Sequence, residues 1–401
     1  MTGALKIDQT MQAYLVHEEM LCGALVVRQA DRIVYQNKWG FTDIERRHPV
    51  AYDSVYRMMS MTKPVIGVGI MMLAERGLLS LDDPVRRYIP SFGQLRVSAD
   101  ERYRLHPGVP LEELRARMAA FDPARLKTEP LKRDITLLDL MSHSSGLGQG
   151  IVGMLTANTA GETDTLAERV EHMAHSVLDF QPGEGTGYSA AAGFDVLGRI
   201  IELISGETLE RFCEQEIFAP LEMKDTCFRL SEAQKARLVA LCVRKEGKLV
   251  DITADHEAKP DIFRAHEGYV SGSAGLFSTL EDYEHFARML CCEGKYQDRQ
   301  FLQPTTVARM RTEAPAAHME PLPGQVWGLS MSIRQTPEKG GLFTTPGTYG
   351  WSGAYGTHFF VSPADELACV FVTNRGDVAG SESYLSLKVE ELVFDAFGRK
   401  A

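Results

Sequence analysis

Two hydrophobic periods run along this chain, and the places where one gives way to the other divide it into parts. The opening residues, to about Glu19, carry helical spacing. "GALVVRQADRIVYQNKWG" follows as two β-rich runs around Gln29-Ala30-Asp31, which predicts a hairpin. Residues 64–76 are an apolar run that predicts a buried helix closed by Gly77. Residues 93–134 are charged and rich in Arg, Glu and Pro, with "PLEELRARMAAF" at helical spacing inside them. "ITLLDLMSHSSGL" predicts a helix that starts at Thr136 and ends in a polar turn. Residues 162–178 and 191–217 read as helices, the second strongly amphipathic through Phe194, Leu197, Ile200, Ile201 and Ile204. The last third changes character. "GGLFTTPGTYGWSGAYGTHFFVSPADELACVFVTNRG" reads as strands with tight turns, and "SESYLSLKVEELVFDAFG" as a closing helix.

Strands at both ends with helices between them predict an α+β fold. One central antiparallel sheet is built from N- and C-terminal strands and flanked by helices. The expected division is a sheet domain from residues 1–85 and 270–401, and a mainly helical subdomain from residues 86–269 that carries an insertion at about 93–134. No internal repeat or low-complexity linker interrupts this order.

Composition narrows the function classes. The 401 residues are 44% hydrophobic and 24% charged, ordinary globular values. A net charge of -11 argues against a nucleic-acid partner, which needs a basic face. Seven scattered cysteines with no C-x-x-C pair read as reduced thiols in a reducing compartment. The start lacks the basic, apolar and small-residue pattern of a signal peptide, and "PVIGVGIMMLA" is too short to span a bilayer. The expectation is a cytoplasmic protein with no membrane partner; a homo-oligomer is left open.

The chemistry begins at "SMTK". Ser60 and Lys63 stand three places apart where an apolar helix opens, with Pro64 in its first turn. One reading is an N-cap serine with a snorkelling lysine. The other is a nucleophile at the positive end of a helix dipole, with a poorly solvated lysine on the same face as its base. From this stretch alone both stand.

Two further segments bear on the choice. "QPGEGTGYSAAAGFDVLGRIIELISGETLERF" places Tyr188 after a glycine-rich turn and before the amphipathic helix. "YGWSGAYGTHFFVSP" places Trp351-Ser352-Gly353 and Ala354 at the start of a β-run. Together with "LAERGLLSLDDPV", "ITLLDLMSHSSGL" and "GSAGLFSTLEDYEHFARML", these blocks resemble the class C β-lactamase-like serine hydrolases from about Gly23 to Arg375. Within that superfamily the chain is most similar to the family VIII carboxylesterases. The resemblance implies a β-lactamase/penicillin-binding-protein-like fold, no cofactor and no metal. It implies Ser60 as acylated nucleophile, Lys63 and Tyr188 as the coupled proton acceptors, and an oxyanion hole from the backbone N–H groups of Ser60 and Ala354. Trp351, Ser352 and Gly353 are implied as substrate-binding. Ala190 stands where a β-lactamase of this class carries Asn, and Trp351 where it carries the Lys that helps hold a lactam carboxylate. Both departures favour neutral ester substrates, and the expected activity is hydrolysis of small, short-acyl esters through an acyl-enzyme on Ser60. The alternatives are lactam or D-amino-acid amide hydrolysis, acyl transfer to an alcohol, and a silent binding protein.

Other features read as structure. His143 lies in a block expected to stand outside the chemistry. No G-x-S-x-G occurs, so an α/β-hydrolase elbow is absent. His172 and His175 lack the Glu of a zinc helix. The 93–134 insertion reads either as surface elaboration or as a lid or subunit contact.

Overall fold

The computed structural model describes residues 3–104, 109–157, 161, 163–258, 263–314, 323–380 and 383–398. Seven strands form one antiparallel sheet: β1 (Cys22–Gln29), β2 (Arg32–Gly40), β3 (Gln325–Trp327), β4 (Ser332–Arg334), β5 (Thr348–Ser352), β6 (His358–Ser362) and β7 (Leu367–Val372). Their spatial order is β3-β4-β5-β6-β7-β1-β2. The N-terminal hairpin therefore docks beside the last strand, with Leu25 opposite Phe371 and Val26 opposite Val370. The two termini share a sheet, as the β-rich ends of the sequence predict. The hairpin turns at Ala30 and Asp31, with Ala30 in the left-handed region at φ 53°.

Strands β5 to β7 are buried on both faces, so their alternation sorts side chains between two layers. Phe360, Cys369 and Phe371 face the terminal helices α1 (Gly3–Val16) and α5 (Tyr384–Phe397). Trp351, Phe359 and Val370 face the larger core, which holds α2 (Thr62–Glu75), α3 (Gly193–Ser205) and α4 (Leu280–Cys291). Helix α2 is buried from Thr62 to Leu73 and ends before Gly77, whose φ is 71°. An all-round apolar helix belongs inside. Among the described residues no helix is long and apolar enough to cross a membrane, and the cysteines form no disulfide.

Two expected helices are shorter than their periodicity. Helix α3 stops at Gly206, which takes the left-handed cap at φ 73°. Thr208 restarts the chain by accepting the Arg211 N–H, giving a short helix Leu209–Cys213 and a π turn Glu214–Phe218. The expected 162–178 helix runs only over Leu166–Met173, opened by a Thr165/Glu168 capping box. Residues 177–178 pair in parallel with 96–97 instead. Within the 93–134 stretch, residues 96–98 also pair with 128–130, and Tyr103 packs with Ile151 and Val152.

A buried polar chain ties β4, β5 and β6 to α5. Ser352 Oγ lies 2.7 Å from His358 Nδ1. His358 Nε2 lies 3.1 Å from Glu390 Oε1, and Arg334 Nη2 donates to that same oxygen at 2.9 Å. Burial alone would raise the Glu390 carboxyl; the Arg334 charge and the His358 ring outweigh it and hold the group at about 2. The stability lent by ionised Glu390 is therefore present above its ordinary value of 4.5 and is lost as pH falls towards 2. Glu390→Gln should cost about 3 kcal/mol at neutral pH, the scale for breaking a buried pair. Urea titrations should show that deficit shrinking as the pH is lowered through this window. A deficit independent of pH would mean the charge is not what was lost.

Candidate active site

The nucleophile candidate sits on a tight turn between a strand and α2. Tyr56 and Arg57 pair with Ser278 and Phe277, and the Met58 N–H donates to Leu276 O at 2.9 Å. Met59 then takes φ 50°, a costly conformation for a side-chain-bearing residue. Ser60 follows in the 3₁₀ turn Met59–Met61, half-buried between fully buried Met58 and Met61. The turn is locked from below: Thr62 Oγ1 donates to Met59 O at 2.6 Å and accepts the Leu276 N–H at 3.1 Å. Ser60 thus precedes the α-helix inside a 3₁₀ turn, and its side chain makes no capping bond to the helix.

Lys63 is fully buried. Its ammonium has three donors, and they go to Ser60 Oγ at 3.3 Å, Ala190 O at 2.8 Å and Ser273 O at 2.9 Å. Nζ lies 4.9 Å from the centre of the Tyr188 ring and 5.7 Å from that of Phe194. Among the described residues no carboxylate pairs with it. The snorkelling alternative does not hold for a side chain with no exposed surface.

Tyr188 is delivered by its glycine turn, which is fastened to the "MSHSSGL" block. The Gly187 N–H donates to His143 O at 3.1 Å, and the Ser189 N–H donates to His143 Nδ1 at 3.2 Å. Ser189 Oγ donates to Leu147 O at 2.8 Å and accepts the Gly193 N–H at the start of α3. The Tyr188 hydroxyl is buried and has no hydrogen-bond partner among the described residues. Its ring is walled by Trp351 at 5.2 Å, His143 at 5.0 Å and Trp327 at 6.2 Å, the last nearly parallel.

His143 therefore stands beside the site and holds the Tyr188 loop, a structural role of the kind expected for its block. Burial, helped by the Lys63 charge, pushes its imidazole well below the ordinary 6.5, so the ring is neutral. With Nδ1 accepting, the ring proton belongs on Nε2.

Strand β5 brings the third segment. Trp351 is packed against Trp327 at 4.9 Å. Ser352 points the other way, onto His358 in the α5 layer. Its side chain is not on the substrate side, because neighbouring strand residues face opposite sides of a sheet. Gly353 abuts the nucleophile turn itself: a Cβ there would fall 2.2 Å from Met58 O and 2.1 Å from Thr357 Oγ1. Ala354 follows, half-buried, and its N–H donates to no backbone carbonyl among the described residues.

Two contributors escape the motif reading. Trp327 reaches the site from the far edge strand, and nothing in "QVWGLS" ties it to Tyr188. Asp195 is a buried carboxylate in the first turn of α3. Its oxygens accept from Ser273 N at 3.0 Å, Ser271 Oγ at 3.1 Å and Tyr269 OH at 2.9 Å. Burial pushes it up against those hydrogen bonds. It fixes the loop whose Ser273 carbonyl holds Lys63. A charge within an otherwise apolar helix face was the legible signal.

A family description headed Beta-lactamase matches residues 7–392. The chain is 26% identical to Esterase EstB of Burkholderia gladioli over 412 residues, covering 98% of this chain and 95% of that protein. It is 28% identical to lovastatin esterase of Penicillium rubens over 325 residues, covering 77% and 74%. Among solved structures it is similar to EstCE1, a hydrolase with promiscuous acyltransferase activity, with a TM-score of 0.78 at 21% identity and 98% coverage of both chains. That likeness establishes the shared β-lactamase/penicillin-binding-protein-like fold.

Two substitutions test the positioning. Gly353→Ala must push β5 away from the Met58 carbonyl, and a displacement of that size is expected to lower kcat by about 10²-fold. Ester turnover beside a thermal melt checks it, and an unchanged kcat would show the close approach to be dispensable. Asp195→Asn turns one acceptor into a donor facing donors. It should lower kcat roughly tenfold with KM within about twofold, if the Ser273 carbonyl matters to Lys63.

Proposed function

This chain belongs to the beta-lactamase family, and on that footing we propose that it is a serine esterase cleaving small, short-acyl carboxylic esters through an acyl-enzyme on Ser60. The observation that carries the reading is the Lys63 side-chain nitrogen, 3.3 Å from Ser60 Oγ and packed over the Tyr188 ring, with no carboxylate paired to it among the described residues. Lys63 Nζ stands beside both the Ser60 hydroxyl and the Tyr188 ring, and a serine hydroxyl needs such a neighbour to take its proton. Lys63 and Tyr188 act as one coupled acceptor.

Ser60 Oγ attacks the ester carbonyl carbon while its proton passes to the Lys63–Tyr188 pair. The carbonyl oxygen becomes an oxyanion, held by the N–H groups of Ser60 and Ala354. Collapse breaks the bond to the alkoxy oxygen, which takes the proton and leaves as the alcohol. Water repeats the sequence on the acyl-enzyme and releases the acid. The Trp327 and Trp351 rings pack around the Tyr188 ring, an apolar surrounding suited to an uncharged acyl or alcohol group. The esterase relatives EstB and lovastatin esterase support the same reading.

The test is covalent. A fluorophosphonate probe should label Ser60, as read by peptide mass spectrometry, and the label should vanish in Ser60→Ala. Tyr188→Phe should keep the fold and lower the labelling rate by about 10²-fold or more. A folded sample that takes no label would overturn the enzyme reading and leave a binding protein on this fold.

A further inference from the structure

A cavity of about 770 Å³ opens beside the Ser60 turn, within the size range of small-molecule sites. It touches the proposed machinery on three sides. Met59, the residue before Ser60, forms one wall, and Ala274, the residue after the Ser273 carbonyl that holds Lys63, forms another. His256 lines the third, with its Nε2 2.9 Å from the hydroxyl of Tyr355, the residue after Ala354.

The wall is polar in a specific way. Arg57 lines it at 5% exposure, directly preceding Met58. A guanidinium has five N–H donors. Those of Arg57 go to Val239 O at 3.0 Å through Nη1 and to Glu257 Oε1 at 3.1 Å through Nη2. Glu257 is a poor counterion for so buried a cation, because its own side chain is 58% exposed and its charge is screened by water. Burial accordingly pulls the guanidinium below its ordinary value in spite of Glu257. Nearby, Lys235 is matched by Glu232 at 2.7 Å and Arg229 by Glu210. Arg57 is left as a desolvated, planar, incompletely compensated cation at the wall of a cavity that adjoins the nucleophile. Carboxylate is the group that such a fork binds in bidentate fashion.

We propose that this cavity is a subsite for a carboxylate carried by the substrate, recognised by the Arg57 guanidinium in competition with Glu257. The proposal rests on the ester-hydrolase reading and narrows it to half-esters and ester acids. Trp351 is not among the residues lining this cavity, so an apolar wall and a charged subsite would serve different parts of one substrate.

Two matched pairs of esters test it and separate the two ends of the substrate. 4-Nitrophenyl adipate against 4-nitrophenyl hexanoate places the charge on the acyl side. 4-Acetoxybenzoate against phenyl acetate places it on the alcohol side. In the wild type the charged member of one pair should have a kcat/KM about tenfold higher, the scale of one charge-assisted hydrogen bond. Arg57→Met should remove that preference while the neutral ester changes by less than about threefold. Glu257→Gln, at an exposed position, should enlarge the preference, and it carries the test if Arg57→Met does not fold. Neutral esters turned over with no charged preference in either pair, or a preference that neither variant moves, would overturn the subsite. If no ester is turned over, the esterase reading fails on its own, and calorimetry with adipate dianion decides the cavity. Binding that tightens in Glu257→Gln supports the subsite, and no binding to either protein overturns it.

Discussion

A buried ammonium with no counter-charge governs this structure. Taking the Lys63 charge out of water is costly unless every donor finds a partner. The chain meets that demand with one hydroxyl and two carbonyls, and each carbonyl comes from a different part of the sequence. Ala190 belongs to the loop that carries Tyr188, and Ser273 to the loop fixed by Asp195. The need to satisfy one nitrogen thus draws the Ala190 and Ser273 loops onto the Met59–Met61 turn. The same bonds that solvate the charge bring Ser60, Lys63 and Tyr188 into one place.

The supporting shell follows from that clamp. Asp195 fixes residues 269–273 with three acceptor contacts, and His143 fixes the Tyr188 loop by accepting the Ser189 N–H. A neutral His143 suits this role, since a protonated ring could not accept that hydrogen bond and would face Lys63 as a second cation. On the sheet side, Gly353 lets β5 reach the Met58 carbonyl, which sets Ala354 beside the turn. Polar atoms left without partners gather here, among them the Tyr188 hydroxyl, His143 Nε2 and the Trp327 and Trp351 indole nitrogens. Such a gathering is expected where substrate or ordered water completes the bonding.

The single strand β5 serves two layers with consecutive residues. Trp351 walls the Tyr188 ring, while Ser352 joins the His358–Glu390–Arg334 chain under α5. The motif Trp351-Ser352-Gly353 is therefore one wall residue, one anchor to the opposite layer and one point of close approach. A sheet strand anchored from behind by a buried ion network is a stiff support for the Gly353–Ala354 step that follows it.

The sequence by itself determined the local and periodic features. The hairpin at Ala30-Asp31, the buried helix after Ser60, the strand-rich C-terminal third and the three segments bearing Ser60, Tyr188 and Trp351 follow from side-chain period, turn residues and motif spacing. These are short-range properties, written within a few residues of where they act. Helix lengths were less legible, because Gly206 and the Thr165 capping box cut the periodic runs at single residues. Only the tertiary structure decided that His143, Trp327 and Asp195 stand beside the site, that Ser352 faces away from it, and that Arg57 lines a cavity beside it. Those facts depend on which face of a strand or loop meets another segment of the chain, 46 residues on for His143 and Ser189, 78 for Asp195 and Ser273 and 200 for Arg57 and Glu257. Long-range packing sets that choice, and no local pattern encodes it.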